Sequence, residues 1–212
     1  METKWTEQQS LEVITEMIDR ARNNIKKGSG NCMIFWGGLV AFTALLNIAL
    51  AYLLVYMAKE SYLSFYVWLL MIPGILISKW MESKIDRTAI VKTHIDHIIS
   101  SVWNGFLLSV ILFLVIIFTL AFSLQIYCYL YLINPVIMLL VGASEFTTAR
   151  ACRFKPFLHG AIAFWTGALA CMFALVLFTE GVAVQMVILA TCMIIGFVIP
   201  GYQINKKAGE YV

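Results

Sequence analysis

The chain has 212 residues, of which 61% are hydrophobic and 13% are charged. Soluble domains carry about 25% charged residues, so this composition excludes an ordinary soluble domain and is typical of an integral membrane protein. The formal net charge of +3 is modest and does not indicate nucleic acid as a partner. The lipid bilayer is therefore the predicted surrounding of most of the chain.

The first 32 residues are polar and end where a long apolar run begins. Thr6 and Gln9 fit a capping box at a helix start, and the apolar residues that follow recur at spacings of three and four. Residues 6–27 are thus predicted to form a cytoplasmic amphipathic helix that lies on the membrane surface or under the bundle. The apolar run 33–58 is too long for the core of a secretory signal, so we expect no cleavage there.

Six apolar runs follow, and each is long enough as a helix to cross about 30 Å of hydrocarbon. Their predicted limits are 33–58, 62–78, 102–124, 126–148, 156–179 and 182–204. A second amphipathic helix is predicted over residues 82–101. The predicted fold is an all-α integral membrane protein with a six-helix membrane domain over residues 33–207 and a short tail at 208–212.

Recurring short motifs group these spans into three tandem hairpins, with the limits 33–80, 102–150 and 156–206. A tryptophan followed two residues later by a glycine opens each hairpin, at Trp36, Trp103 and Trp165. We interpret the motifs as internal repeats, a known plan of membrane transport proteins, and expect a pseudo-threefold bundle. The alternative is that tryptophan and glycine are simply common near membrane boundaries.

The same tryptophans and the prolines also predict local structure. We interpret Trp36, Trp103 and Trp165 as interfacial anchors, and we expect the glycine two residues after each to permit close helix approach. Proline removes a backbone donor and crowds the preceding turn, so a helix should kink or end beside it. The predicted helix breaks are Pro73, Gly74, Pro135, Pro200 and Gly201.

The basic residues are distributed asymmetrically about the predicted spans. All 15 lysines and arginines except Lys59 fall on the side that holds the two termini. The positive-inside rule places that side in the cytoplasm. The sequence thus predicts a multi-pass protein with both termini cytoplasmic and very short outer turns.

Three polar side chains within the spans are candidates for a polar core or a pathway: Asn47, Asn134 and Glu145. An ionisable group at membrane depth is costly enough to indicate function. For Glu145 the favoured interpretation is nevertheless an ion pair with Arg150 or Arg153, and the alternative is a proton or cation site. Asn47 and Asn134 are expected to form interhelical hydrogen bonds, with pathway lining as the alternative for Asn47.

The histidines give a weak signal for a metal site. His94 and His97 are three residues apart on the second amphipathic helix, and His159 with Glu145 would complete a cytoplasmic site of the kind a membrane metallohydrolase needs. The favoured interpretation is interfacial histidines without a metal. The five cysteines contain no C-x-x-C pair, so we predict no disulfide, no zinc site and no cofactor.

Three stretches resemble a known family. They are Ser10-Leu11-Glu12 through Ile18-Asp19, Phe35-Trp36-Gly37, and Arg153-Phe154-Lys155-Pro156 with Gly160. These stretches are similar to an uncharacterised family of six-span bacterial inner-membrane proteins common in the Bacteroidetes. The resemblance covers nearly the whole chain and implies an inner-membrane location, but it carries over no functional residues. Three tandem hairpins also resemble the mitochondrial carriers, whose P-x-[DE]-x-x-[KR] signature this sequence lacks.

Two classes of function follow from these features. The favoured hypothesis is a non-enzymatic regulatory or assembly component that acts through its cytoplasmic face on a cytoplasmic or membrane protein partner. The alternative is a small transporter or channel with a polar pathway near Asn47 and Glu145. The sequence lacks the common catalytic motifs, so a membrane metallohydrolase ranks third. A homo-oligomer is compatible with each class.

Overall fold

The computed structural model describes residues 29–88 and 94–210. The amphipathic helix predicted at 6–27 lies outside the described residues. Of the second predicted amphipathic helix, residues 82–88 and 94–101 are described, and they belong to two different helices. All regular structure in the described ranges is helical, and no strand occurs in them. The all-α prediction is confirmed for this part of the chain.

The described residues form seven α-helices, with two 3-10 segments and one π-helical segment between them. The α-helices are α1 Ser29–Tyr56, α2 Met71–Thr88, α3 His94–Leu124, α4 Ile133–Cys152, α5 Lys155–Leu177, α6 Gly181–Met193 and α7 Ile199–Glu210. The 3-10 segments Ser61–Leu70 and Tyr127–Leu132 precede α2 and α4, and the π-segment Ile194–Val198 joins α6 to α7.

These elements build six spans that are long and apolar enough to cross a membrane, as predicted. In chain order the spans are Gly30–Tyr56, Ser61–Lys84, Ile95–Leu124, Tyr127–Cys152, Lys155–Leu177 and Gly181–Lys206. The third span begins earlier than the predicted residue 102, because α3 continues unbroken from His94. The second and fourth spans combine a 3-10 segment with an α-helix.

Three prolines lie where the helix type changes, and none of them ends a helix. Pro73 and Pro135 stand in the first turns of α2 and α4, directly after the 3-10 segments. In a first turn the missing N–H breaks no helical hydrogen bond. Pro200 stands in the first turn of α7, and the wider π-segment before it accommodates the ring. No helix ends at Pro73-Gly74 or Pro200-Gly201, and the alternative, a kink at these positions, stays a prediction.

The third hairpin, formed by α5 with α6 and α7, lies between the other two. Helix α5 packs along α4, and the sixth span packs along α1. The second span packs on α1, and α3 packs on α4, while Trp103 of α3 also lies 5.6 Å from the ring of Phe197. The described residues form no comparable interface between the first and second hairpins. This arrangement differs from the equivalent contacts expected of a pseudo-threefold bundle.

Small side chains explain why the third hairpin is central. Ala161, Ala168 and Ala190 are buried in its interfaces. The ring of Phe164 fills the space at Gly196, where a Cβ would overlap it. In a membrane, burial of apolar surface does not drive helices together, so close packing of small residues supplies much of the attraction.

The glycines two residues after each tryptophan do not share one role. Gly38 and Gly105 have no neighbouring atom within 4 Å of the place a Cβ would take, so the expected close approach is wrong for them. It is confirmed for Gly167, which lies against Cys192 and Met138. In the first hairpin the close contact is made instead by Gly37, because consecutive helical residues point about 100° apart.

Gly37→Ala and Gly38→Ala form a matched test of this packing. A methyl group at position 37 would lie 2.8 Å from Cβ of Phe197, so we expect the free energy of unfolding to fall by about 1–3 kcal/mol. At position 38 the methyl group meets open space, and higher helix propensity should leave stability unchanged or raise it by up to about 1 kcal/mol. Reversible unfolding in detergent measures both, and equal effects would contradict the α1 packing described here.

Candidate functional site

Glu145 is the charged side chain that the bundle buries most completely among those the structure describes. It lies on α4, seven residues before the helix ends at Cys152, which is about 10 Å along the axis. The side chain is 0% exposed. Neither of its carboxylate oxygens has a hydrogen-bond partner. Burial removes the hydration of a carboxylate, and here no hydrogen bond replaces it, so the ionised form is energetically unfavourable.

Two glycines from neighbouring spans surround the Glu145 carboxylate. Its Oε2 occupies the space that a Cβ of Gly160 would take, so the carboxylate lies directly against α5. The Cα of Gly196, in the π-segment, is 2.9 Å from the same Cβ position. We call this group, Glu145 with Gly160 and Gly196, the glycine notch. It places the carboxylate where the fourth, fifth and sixth spans meet.

The ion pair expected for Glu145 is absent from the described part of the chain. Arg150 lies over the ring of Phe146, with its Cζ 5.2 Å from the ring centroid. Positions 145 and 150 are about 140° apart around a helix, so their side chains diverge. Arg153 caps the end of α4 with a left-handed backbone, φ 51°, and its side chain is exposed. The prediction of an ion pair with Arg150 or Arg153 is therefore wrong.

Asn47 is also buried, at a different depth from Glu145. It lies on α1, it is 3% exposed, and its Nδ2 has no hydrogen-bond partner. Thr43, one turn earlier, donates to the carbonyl oxygen of Leu39 at 2.8 Å and so stays within its own helix. Asn47 lies about 25 Å along the axis from the start of the first span, in the half nearer its C-terminal end. The structure thus does not bring Asn47 and Glu145 into one site.

Sequence reasoning missed Gln185, which links three spans at the end of the bundle that holds the turn between α5 and α6. It is 1% exposed, and its Nε2 donates to the carbonyl oxygens of Cys171 at 3.1 Å and Tyr131 at 3.4 Å. The signal was present, since Gln185 is the one strongly polar side chain in the apolar run of α6. The neighbouring Asn134 is half-buried, and its Nδ2 lies 3.8 Å from the sulfur of Met186.

A cavity of about 280 Å³ opens beside this polar cluster, at the turn between α5 and α6. Its walls are formed by Tyr131, Leu175, Phe178, Thr179, Glu180, Gly181 and Val182. The exposed Glu180 gives its rim a negative charge. The cavity lies at the opposite end of the bundle from the glycine notch.

The three predicted anchor tryptophans all contact other parts of the protein. Trp36 donates from Nε1 to the Ser78 hydroxyl at 2.9 Å, which joins the two spans of the first hairpin. Trp165 donates to the carbonyl oxygen of Leu139 at 3.3 Å, joining α5 to α4. Their role as interfacial anchors stays a prediction.

The side chain of His94 lies outside those that the structure describes, and a metal site with His97 and His159 stays a prediction. The side chains of His97 and His159 are exposed. In residues 29–88 and 94–210, no group of three His, Cys, Asp or Glu side chains could hold a metal ion. All five cysteines carry free thiols, at Cys32, Cys128, Cys152, Cys171 and Cys192. Cys171 and Cys192 are buried among apolar neighbours and pack as small hydrophobic residues.

No protein family, curated protein or solved structure matches this chain. The assignment of function therefore rests on the geometry of the site itself. That geometry centres on the glycine notch, where a buried ionisable group has no structural partner.

Gly160→Ala tests the contact that defines the glycine notch. The added methyl group would overlap Glu145 Oε2, so we expect a loss of about 1–3 kcal/mol in the free energy of unfolding. In a Glu145→Ala background the same change should cost less, because the overlapping carboxylate is gone. A double-mutant cycle in detergent measures this coupling.

Gly105→Ala is the control for that cycle, since a Cβ at position 105 meets no atom within 4 Å. It should show no coupling to Glu145→Ala. Strict additivity of Gly160→Ala and Glu145→Ala would mean that the two residues do not touch.

Proposed function

We propose that this protein is a small ion-coupled transporter of the bacterial inner membrane in which Glu145 binds a proton or another cation. The supporting observation is the fully buried carboxylate without a hydrogen-bond partner. Ionisable side chains within membrane spans are rare, and they mark ion pathways and proton relays. A purely structural glutamate would have a partner for its charge, and Glu145 has none among the described residues.

The surroundings of Glu145 also supply an element that could move. The carboxylate contacts α5 at Gly160, and Gly160 packs against Gly196 of the π-segment, which is a local departure from regular α-helix. Such π-segments are frequent at functional sites. Directly at the carboxylate the contact surface is the backbone of Gly160, and opening it toward the sixth span requires the Phe164 ring to leave Gly196. Opening at this place would connect Glu145 with the side of the membrane on which α4 ends and α5 begins.

The proposed topology places both termini, and the end of α4 nearest Glu145, in the cytoplasm. It follows from the positions of the lysines and arginines. The proposal also includes a common origin of the three hairpins as tandem repeats. In its support, the second span of each hairpin changes its helix type beside a proline, at Pro73, Pro135 and Pro200. Parallel repeats of this kind are found in membrane transporters.

A non-enzymatic regulatory or assembly component, acting through the cytoplasmic face, is the second candidate. One observation favours it: the outer connections are only residues 57–60, 125–126 and 178–180. These turns offer little surface for a large external ligand. A protein partner would then bind on the opposite side, which carries the basic residues.

Water accessibility of single cysteines separates the two candidates. On a background with the native cysteines replaced, Glu145→Cys should react with a membrane-impermeant thiol reagent from the cytoplasmic side, and Asn47→Cys from the outside. Ala44→Cys is the matched dry control, because Ala44 is 0% exposed and lies one turn from Asn47. Lys155→Cys and Glu180→Cys, both exposed, report the two sides.

Labelling at positions 47 and 145 from opposite sides would support a route through the protein, and ion-flux measurements in liposomes would follow. No labelling at either position, with the two exposed controls reacting, would contradict transport and leave the regulatory candidate. Reaction of Lys155→Cys from the outside would contradict the proposed topology.

A further inference from the structure

The close packing around Glu145 restricts the size of the ion that the glycine notch can bind. If Gly160 carried a Cβ, that atom would overlap Glu145 Oε2 and would lie 2.9 Å from Cα of Gly196. The carboxylate itself is 0% exposed. The backbone of α5 therefore closes the approach to Oε2 on the side of Gly160, where a metal ion with its coordinating water molecules would not fit.

The second limit is the supply of oxygen ligands. Hard cations such as Ca²⁺ take about six to eight oxygen ligands, and Mg²⁺ requires near-octahedral coordination. The neighbouring hydroxyls on α4 donate along their own helix, Ser144 to the carbonyl oxygen of Leu140 at 3.0 Å and Thr148 to that of Ser144 at 2.8 Å, and neither is hydrogen-bonded to the Glu145 carboxylate. Within the described ranges no second carboxylate, histidine or thiol completes a metal site. A proton needs no such ligand shell.

No described titratable group offers Glu145 a hydrogen bond. Its own span and the elements packed against it carry the following other described titratable groups: Tyr127, Cys128, Tyr129, Tyr131, Arg150, Cys152 and Arg153 on the fourth span; Asp96 and His97 on α3; Lys155, His159 and Cys171 on α5; and Cys192, Tyr202 and Lys206 on the sixth span. Since none of them is hydrogen-bonded to the carboxylate, its charge is not balanced by a fixed neighbour. Protonation removes that charge, and a neutral carboxyl is far less costly to bury than a carboxylate.

We infer that Glu145 binds a proton, and not a metal cation, in the notch between Gly160 and Gly196. The inference rests on the proposed transport function and names the ion that its site takes. In the closed arrangement seen here, Glu145 is the neutral acid. The proton enters and leaves when α5 and the π-segment separate, because no other state exposes the carboxyl.

Infrared difference spectroscopy of the protein in liposomes tests this inference. At neutral pH the native protein should show the carbonyl stretch of a protonated carboxyl, and Glu145→Gln should remove one such group per chain. Gln is close in size to protonated Glu, so the variant should retain the fold. Glu145→Asp gives a second check, because it should shift the band and not remove it.

Glu180→Gln is the control, since Glu180 is an exposed carboxylate on the outer turn and its loss should leave the band unchanged. A native spectrum without a Glu145-dependent band, at neutral and at acidic pH, would overturn the inference. Loss of the band when choline chloride is replaced by sodium chloride at constant pH would also overturn it, because a metal cation would then compete for the site.

The infrared spectra test proton binding by Glu145, and the cysteine labelling tests transport, so the two claims can be contradicted independently. A Glu145-dependent band without water access at position 145 would confirm proton binding and contradict transport. Water access at position 145 without the band would retain transport and contradict the proton as its ion.

Discussion

Close contact between helices is the constraint on which this structure depends. A bilayer removes the advantage of burying apolar side chains, because lipid tails are as apolar as leucine. The bundle is instead held where backbones approach over Gly37, Gly160 and Gly196, and where alanines line the fifth and sixth spans. Hydrogen bonds from Trp36, Trp165 and Gln185 add links between spans that the small residues bring together. Large apolar side chains such as Leu112 and Ile116 are left on the outside.

The same packing leaves the buried carboxylate of Glu145 without a hydrogen-bond partner. Most polar side chains in the described spans satisfy themselves locally, as Thr43, Ser144 and Thr148 do by bonding to a carbonyl oxygen one turn earlier. Glu145 could do so only as the neutral acid, because an ionised carboxylate has no proton to donate. The glycines that let α4, α5 and the π-segment approach also remove any side chain that could donate to it. Close packing and a charged state of Glu145 are thus incompatible, which links the charge of this residue to the separation of two spans.

The sequence predicted the six spans and singled out Glu145, because length, hydropathy and an isolated charge are properties of one segment. It did not predict what Glu145 contacts. Glu145 does not pair with Arg150, although the two are close in sequence. Five residues along an α-helix place their side chains about 140° apart, on different faces. The shared motif suggested one role for Gly38, Gly105 and Gly167, yet only the last faces another helix. Gln185 could have been found by the criterion applied to Asn47, since both are polar side chains in apolar runs.

The central place of the third hairpin has a consequence for biosynthesis. The hairpins enter the membrane in chain order, so the two peripheral ones are inserted while the element between them is still being translated. They share little interface with each other, and they remain independent helix pairs in the lipid until the last hairpin arrives. The contacts that join the three hairpins therefore form only once the third hairpin has been made, and Gly160 and Gly196 are not present to cover Glu145 before then.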